Sequence, residues 1–285
     1  MSEYYKVDDA TGELIRVDGV VVELEPGDSV RRKSQDDFYK RMKQTQVGSR
    51  QSQFIWLLFH YGDELLPNVS KASLVRLIFV ATFLHKDLGV QENRLTDTKG
   101  KSFFTKKEIK KVMKLSDTCF AEFWNEMIEN GIFSINENNE VLINGDIFKY
   151  GQIQDLNENR IRLYCTAIRR LYVRCPARQH KVLGYIFRMI PFVSIEQNII
   201  CYNPEEKDSE LIRPMALKDF CKHIKYDVAN IRRLLKDLLS IRIDGQQLIK
   251  CVSDGDIQND YLIVNPRVYF AGNNKTDVMA LFNQS

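Results

Sequence analysis

Glu108-Ile109-Lys110-Lys111-Val112-Met113-Lys114-Leu115 and Asp219-Phe220-Cys221-Lys222-His223-Ile224-Lys225-Tyr226 are two versions of one pattern. Set at a constant offset of 111 residues, as from Ile109 to Phe220, their apolar positions fall in step across two helices. Met113 matches Ile224, Phe120 matches Ile231, and Phe123 matches Leu234. Trp124 matches Leu235, Met127 matches Leu238, and Ile128 matches Leu239. Upstream, Leu74-Val75 and Ile78-Phe79 match Val182-Leu183 and Ile186-Phe187. Downstream, Ile143-Asn144-Gly145-Asp146-Ile147-Phe148 matches Val264-Asn265-Pro266-Arg267-Val268-Tyr269, after one insertion in the second copy. Matches in the same order along the chain make an internal repeat.

Both copies predict the same elements. The first has helices over Gln53–Leu65 and Ser70–His85, then Thr105–Lys114, a Leu115-Ser116-Asp117 turn and Thr118–Glu129. The second has Arg160–Arg174 and Ala177–Val193, then Ala216–Ile224, a Lys225-Tyr226-Asp227 turn and Val228–Ser240. Ser70, Asp117 and Asp227 are suited to N-caps. Two short helices joined by a tight polar turn are a helix-turn-helix. Strand-forming runs with turn signals follow: Ile132–Ile135 and Val141–Ile143 in copy one, Ile241–Gly245, Leu248–Val252 and Tyr261–Val264 in copy two. A helix-turn-helix followed by a hairpin is a winged helix; an αα-hairpin protein with no DNA role is the competing reading. Val7–Leu24, with turn signals at Thr11-Gly12-Glu13 and Asp18-Gly19, reads as an N-terminal hairpin. The expected fold is α+β, mostly α: two tandem winged helix-turn-helix domains with an N-terminal β-hairpin arm. The expected divisions are a hairpin and basic connector (1–50), winged-helix domains at 51–152 and 153–274, and a tail (275–285).

The chain has 285 residues, enough for two cores, with 44% hydrophobic and 28% charged residues. No apolar run reaches membrane-spanning length and no signal peptide is read at the N-terminus, so a soluble, cytoplasmic protein with no membrane partner is expected. Six cysteines without a CxxC or zinc spacing read as free thiols. Net charge is only +3, but it is unevenly spread. Residues 1–28 are acidic, Arg31 to Arg50 reverse the sign, and Arg160 to Lys181 carry seven basic residues and no acid. Such blocks meet phosphate or simply solvate helix faces.

The second helix of a helix-turn-helix presents its outward residues to base edges in the major groove. In copy two these are Ala229, Asn230, Arg232, Arg233 and Lys236, and Asn and Arg read adenine and guanine edges. Lys218, Lys222 and Lys225 are placed to hold phosphates. In copy one the matching helix carries Glu122, Glu126 and Glu129 and no Lys or Arg, which opposes docking on phosphate. Its basic side lies earlier, at Lys106, Lys107, Lys110, Lys111 and Lys114. Asp254, Asp256 and Asp260 near the second wing tip also oppose phosphate binding.

The second copy resembles the single winged-helix (RepL-type) replication initiators of small Firmicute plasmids. The resemblance rests on Leu183-Gly184-Tyr185-Ile186, the Ile224-Lys225-Tyr226-Asp227 turn, and the closing Val264-Asn265-Pro266-Arg267-Val268-Tyr269-Phe270-Ala271-Gly272. The opening Asp9-Ala10-Thr11-Gly12-Glu13 is similar to the start of such proteins. A tandem of two winged helices is similar to iteron-type plasmid initiators. The resemblance implies replication initiation on plasmid or phage DNA; the acidic helix of copy one departs from a two-headed reader.

Val278-Met279-Ala280-Leu281-Phe282 in the tail reads either as a docking peptide for replication machinery, through Leu281 and Phe282, or as a core-packed terminus. No Walker loop, GxSxG or HExxH is present, and the ExK at Glu108-Ile109-Lys110 falls inside a basic helix. A non-enzyme without cofactor or metal is expected. Its expected partners are double-stranded DNA, the replication or transcription machinery, and possible self-association as a homodimer. A replication initiator, a transcriptional regulator and a protein–protein adaptor are the competing functions.

Overall fold

The computed structural model describes residues 4–7, 14–17, 29–32, 53–84, 93–98, 100, 102–150, 159–253, 255–272 and 275–283. The chain divides into two compact units, residues 1–53 and 54–285. In the first, β1 (Tyr4–Val7) pairs antiparallel with β2 (Leu14–Val17) and with β3 (Ser29–Arg32), giving the order β2-β1-β3. The expected hairpin is therefore two strands of a three-stranded sheet. The basic stretch expected as a connector begins as a strand, because Tyr5 lies opposite Arg31. Its continuation lies outside the described residues.

The second unit is built around a four-stranded antiparallel sheet of order β13-β8-β4-β7. Its strands are β4 (Phe54–Leu58), β7 (Phe148–Tyr150), β8 (Arg160–Tyr164) and β13 (Tyr269–Phe270). Copy one supplies β4 and β7; copy two supplies β8 and β13. Two expectations are corrected here: Gln53–Leu65 contributes a strand rather than a helix, and Arg160–Arg174 is a strand followed by a helix. A short continuous apolar run reads equally as buried helix or strand. Pairing decides it, because alternation turns Ile55, Leu57, Ile161 and Leu163 into the core, each fully buried. The register is self-matching. Trp56 lies opposite Arg162, with Ile55 opposite Leu163 and Leu57 opposite Ile161. Leu57 then meets Phe148 as Leu163 meets Tyr269. This is the register a local two-fold axis through the Trp56–Arg162 pair requires.

Above this sheet sit matching helices. The first, α1 (Lys71–Ala81), starts at Ser70, whose hydroxyl accepts from the Ser73 amide at 3.2 Å. It is apolar nearly all round and packs on its counterpart α5 (His180–Arg188), which follows α4 (Cys165–Arg174). Gly184 makes that contact possible: a Cβ there would lie 2.4 Å from the Lys71 carbonyl oxygen. The paired helices α2 (Lys106–Met113) and α3 (Asp117–Glu129) belong to copy one. Their counterparts are α6 (Leu217–His223) and α7 (Ile231–Ser240), with a 3-10 turn over Val228–Asn230 leading into α7. The deepest apolar positions of the repeat stay buried in both copies, whereas Ile128 is exposed and its match Leu239 half-buried. Ile109 and Phe220, Phe120 and Ile231, Phe123 and Leu234, Met127 and Leu238 are all buried. Lys114 and Lys225, at the same offset, both take the left-handed backbone (φ 52° and 53°) that turns the chain between helices. The cap of α3 is Ser116, accepting from the Cys119 amide at 3.4 Å, and not Asp117, which is already helical. Asp227 does cap its helix, accepting from the Ala229 amide at 2.9 Å.

Hairpins close both copies. After α3 come β5 (Phe133–Ile135) and β6 (Val141–Ile143). After α7 come β9 (Arg242–Ile243) with β10 (Gln246–Gln247), then β11 (Ile249–Val252) with β12 (Tyr261–Val264). Each hairpin returns to the central sheet through an asparagine. Asn144 Oδ1 accepts from the Asp146 amide at 2.8 Å, and Asn265 Oδ1 from the Arg267 amide at 3.0 Å. One large core runs through both copies. The last helix, α8 (Lys275–Asn283), adds a small separate core in which Val278 and Phe282 meet Tyr164, Ile263 and Phe270. No disulfide links the six cysteines, and burial pushes the Cys165, Cys201 and Cys221 thiols up to about 11. No helix among the described residues is long and apolar enough to cross a membrane.

Substituting Gly184→Ala tests the α1–α5 contact. Overpacking against fixed backbone is expected to lower stability by about 1–3 kcal/mol, read from the denaturant midpoint; an unchanged midpoint would mean the helices do not approach this closely.

Candidate nucleic-acid interface

The helix α7 is strongly two-faced. Ile231, Leu234 and Leu238 are buried, and Leu235 is half-buried. On the other side Arg232, Arg233 and Lys236 are exposed, with Ala229 and Asn230 exposed on the turn before. Among the described residues, none of the three cations has an ion-pair partner. The three expected phosphate-holding lysines are engaged. Lys218 Nζ donates to Asn259 at 3.2 Å, Lys222 pairs with Asp219 at 2.7 Å, and Lys225 pairs with Glu64 at 3.2 Å. Lys222 and the Tyr202 hydroxyl hold the Asp219 carboxyl below its ordinary range. Exposed pairs of this kind contribute about 0–1 kcal/mol and exchange readily for a phosphate. Asn230 is engaged too, donating to Asp227 Oδ2 at 2.9 Å.

Copy one presents a different surface on the same frame. At the common offset, Glu122 occupies the place of Arg233, and both are exposed. Glu129 is also exposed, whereas Glu126 turns inward. The carboxylate of Glu126 accepts from the Ser70 amide and hydroxyl, so it caps α1 and is not an outward group as expected. Of the basic residues on α2 and its turn, Lys110 pairs with Asp117 at 2.7 Å and Lys106 lies 4.8 Å from the centre of the Trp124 ring. Lys107, Lys111 and Lys114 are exposed. At the base of α2, Thr105 and Glu108 form a capping box that lowers the Glu108 carboxyl, so the ExK spacing is a helix start.

Three sequence readings change. The basic block from Arg160 to Arg174 is partly engaged within the chain: Arg162 donates to the Ala271 and Gly272 carbonyls and Arg169 to Thr82, while Arg170 and Arg174 make exposed pairs with Asp244 at 3.2 and 3.1 Å. Only contacts distant in sequence could have revealed this. In the β11–β12 hairpin, Asp260 is buried (4% exposed) and accepts from the Cys251 thiol at 3.5 Å, so it is no tip charge. Asp256 is exposed, and Asp254 lies outside the described residues. In the tail, Phe282 is 1% exposed within its own small core, which removes it as a free docking group; Leu281 is 44% exposed.

The described residues hold no cluster of three or more His, Cys, Asp or Glu arranged to bind a metal. His180 is buried with Nε2 3.2 Å from the Cys175 carbonyl, and burial lowers its pKa. No protein-family model, curated protein or solved structure matches the chain.

The seat of α8 makes a pH-dependent prediction. Lys275 Nζ lies 3.5 Å from the centre of the Tyr164 ring. Burial first, then Arg162 and Arg267, bring its pKa from 10.5 down to about 7. Between these values the unfolded chain holds the proton and the docked helix does not, so stability rises with pH through that window, and below about 7, where both states are protonated, this contribution is fully lost and levels off. Denaturant unfolding at pH 6 and pH 9 is expected to show this rise, and Lys275→Met is expected to remove the Lys275 contribution; an identical rise in that variant would contradict it.

Proposed function

We propose that the chain is a sequence-specific double-stranded DNA-binding protein, built from two tandem winged helix-turn-helix units that share one sheet. In this reading α7 enters the major groove, and α6 with its turn lies along the backbone. One observation carries it: a helix with a fully packed inner face holds Arg232, Arg233 and Lys236 in solvent without partners among the described residues. Arginine pairs bidentately with guanine, and lysines gain by replacing condensed counterions. Plasmid or phage replication initiation is the role the sequence resemblance favours, and transcriptional regulation on the same fold is the alternative. A second reading, a protein–protein adaptor within replication or transcription machinery, is favoured by the exposed Glu122 and Glu129 and by Ile128, 40% exposed, on α3.

Fluorescence anisotropy against the protein's own genomic or plasmid duplex, across salt, tests the proposal. Arg232→Ala/Arg233→Ala is expected to weaken binding by about tenfold to several hundredfold, and to flatten the salt slope by about one to two. Absence of binding above a neutral control, or an unaffected double variant, would move the reading to the adaptor.

A further inference from the structure

The two helix pairs present opposite charge on one geometry. On α3 the outward residues are Ala121, Glu122, Asn125, Ile128 and Glu129, all exposed, and the helix has no lysine or arginine. At the same offset, α7 holds Arg232, Arg233, Lys236, Leu239 and Ser240 in those places. Glu122 and Glu129 stand two turns apart, so both carboxylates leave the same side of α3. Arg233 and Lys236 are likewise neighbours on one side of α7. Among the described residues, no ion pair or hydrogen bond engages the side chains of Glu122, Glu129, Arg232, Arg233 or Lys236. The exposed lysines of copy one, Lys107, Lys111 and Lys114, lie on α2 and its turn rather than on α3. Ile128 on α3 and Ile135 on β5, which α3 contacts, are 40% and 49% exposed, so the acidic face also has apolar side chains to bury.

We propose that α3 of one molecule docks on α7 of a second copy of this chain, with Glu122 and Glu129 against Arg232, Arg233 and Lys236 and with Ile128 buried in the contact. Charge complementarity selects this occupant. Every molecule that carries the acidic face carries the basic one too, at the matching place in the repeat. Two α3 faces repel each other, as do two α7 faces, so like-to-like pairing is disfavoured. The contact is therefore heterologous, joining different surfaces of the two molecules. Exposed ion pairs are individually weak and are screened by salt, so the association is reversible and strongest at low ionic strength. Docking covers Arg232, Arg233 and Lys236, the residues that the proposed function gives to DNA, so a duplex and a second copy compete for α7. Only that competition rests on the proposed function; the association itself is measured without DNA, and the two readings fail separately.

The test is sedimentation velocity of the full chain, free of nucleic acid, across a concentration series. Self-association is expected at about 0.1 M salt and its loss at about 1 M, where the screening length falls from about 10 to about 3 Å. Glu122→Lys/Glu129→Lys and Arg232→Glu/Arg233→Glu are each expected to weaken it by about tenfold or more. Mixed in equal amounts, the two reversed chains are expected to associate again, because each supplies the charge that the other has lost. Should a reversed chain lose its folded circular dichroism, the neutral Glu122→Gln/Glu129→Gln and Arg232→Gln/Arg233→Gln decide, each expected to weaken association. An added duplex is expected to dissociate the wild-type assembly. A duplex whose binding falls in Arg232→Ala/Arg233→Ala, and which still leaves the assembly intact, would overturn the proposal. So would a monomer at every concentration in low salt, association untouched by either reversal, or a mixture no more associated than its parts; each of these leaves α3 to a different protein.

Discussion

The pairing of β4 with β8, Trp56 opposite Arg162, is the constraint on which the second unit rests. A one-residue slip would move Ile55, Leu57, Ile161 and Leu163 from the core to the opposite face, so the register is tightly specified. The pairing is self-matching, and both copies place a helix pair and a hairpin on the frame, although α4 and the β9–β10 hairpin belong to copy two alone. The helices α1 and α5 meet across the same axis, with Gly184 letting their backbones touch. The two helix pairs and their hairpins then hang from a single continuous core.

On this matched frame the two copies have diverged in charge rather than in packing. Ile109 and Phe220, Met113 and Ile224, Phe120 and Ile231, Phe123 and Leu234, and Met127 and Leu238 are buried in both copies, and both turns keep the left-handed lysine. The outward positions do not: Glu122 stands where Arg233 stands in the other copy. A carboxylate near phosphate opposes binding and an arginine favours it, so under the proposed function the α7 surface takes DNA and the α3 surface does not. Glu126 shows how such a charge can be absorbed, since it caps α1 instead of facing solvent. The proposed division of labour, duplex at α7 and another partner at α3, follows from these substitutions alone.

Much of this was legible in the sequence. The offset between copies, the short helices with their turns, the hairpin after each, and the asparagine before each closing strand all depend on local patterns. What was not legible depends on distant partners. Phe54–Leu58 is an apolar run whose strand character comes only from β8 and β7. The arginines from Arg162 to Arg174 look like a nucleic-acid patch until Thr82, Asp244 and the Gly272 carbonyl are brought to them. Phe282 looks like a free docking residue until α8 is laid against Tyr164 and Phe270.

The central claim is that α7, and not α3, lies against duplex DNA. A photo-crosslinking side chain placed at position 233, and separately at the matching position 122, measures it directly on a bound duplex. Crosslinks to bases from position 233 and none from position 122 are predicted. Crosslinks from position 122 alone, or from neither on a duplex that binds, would contradict it.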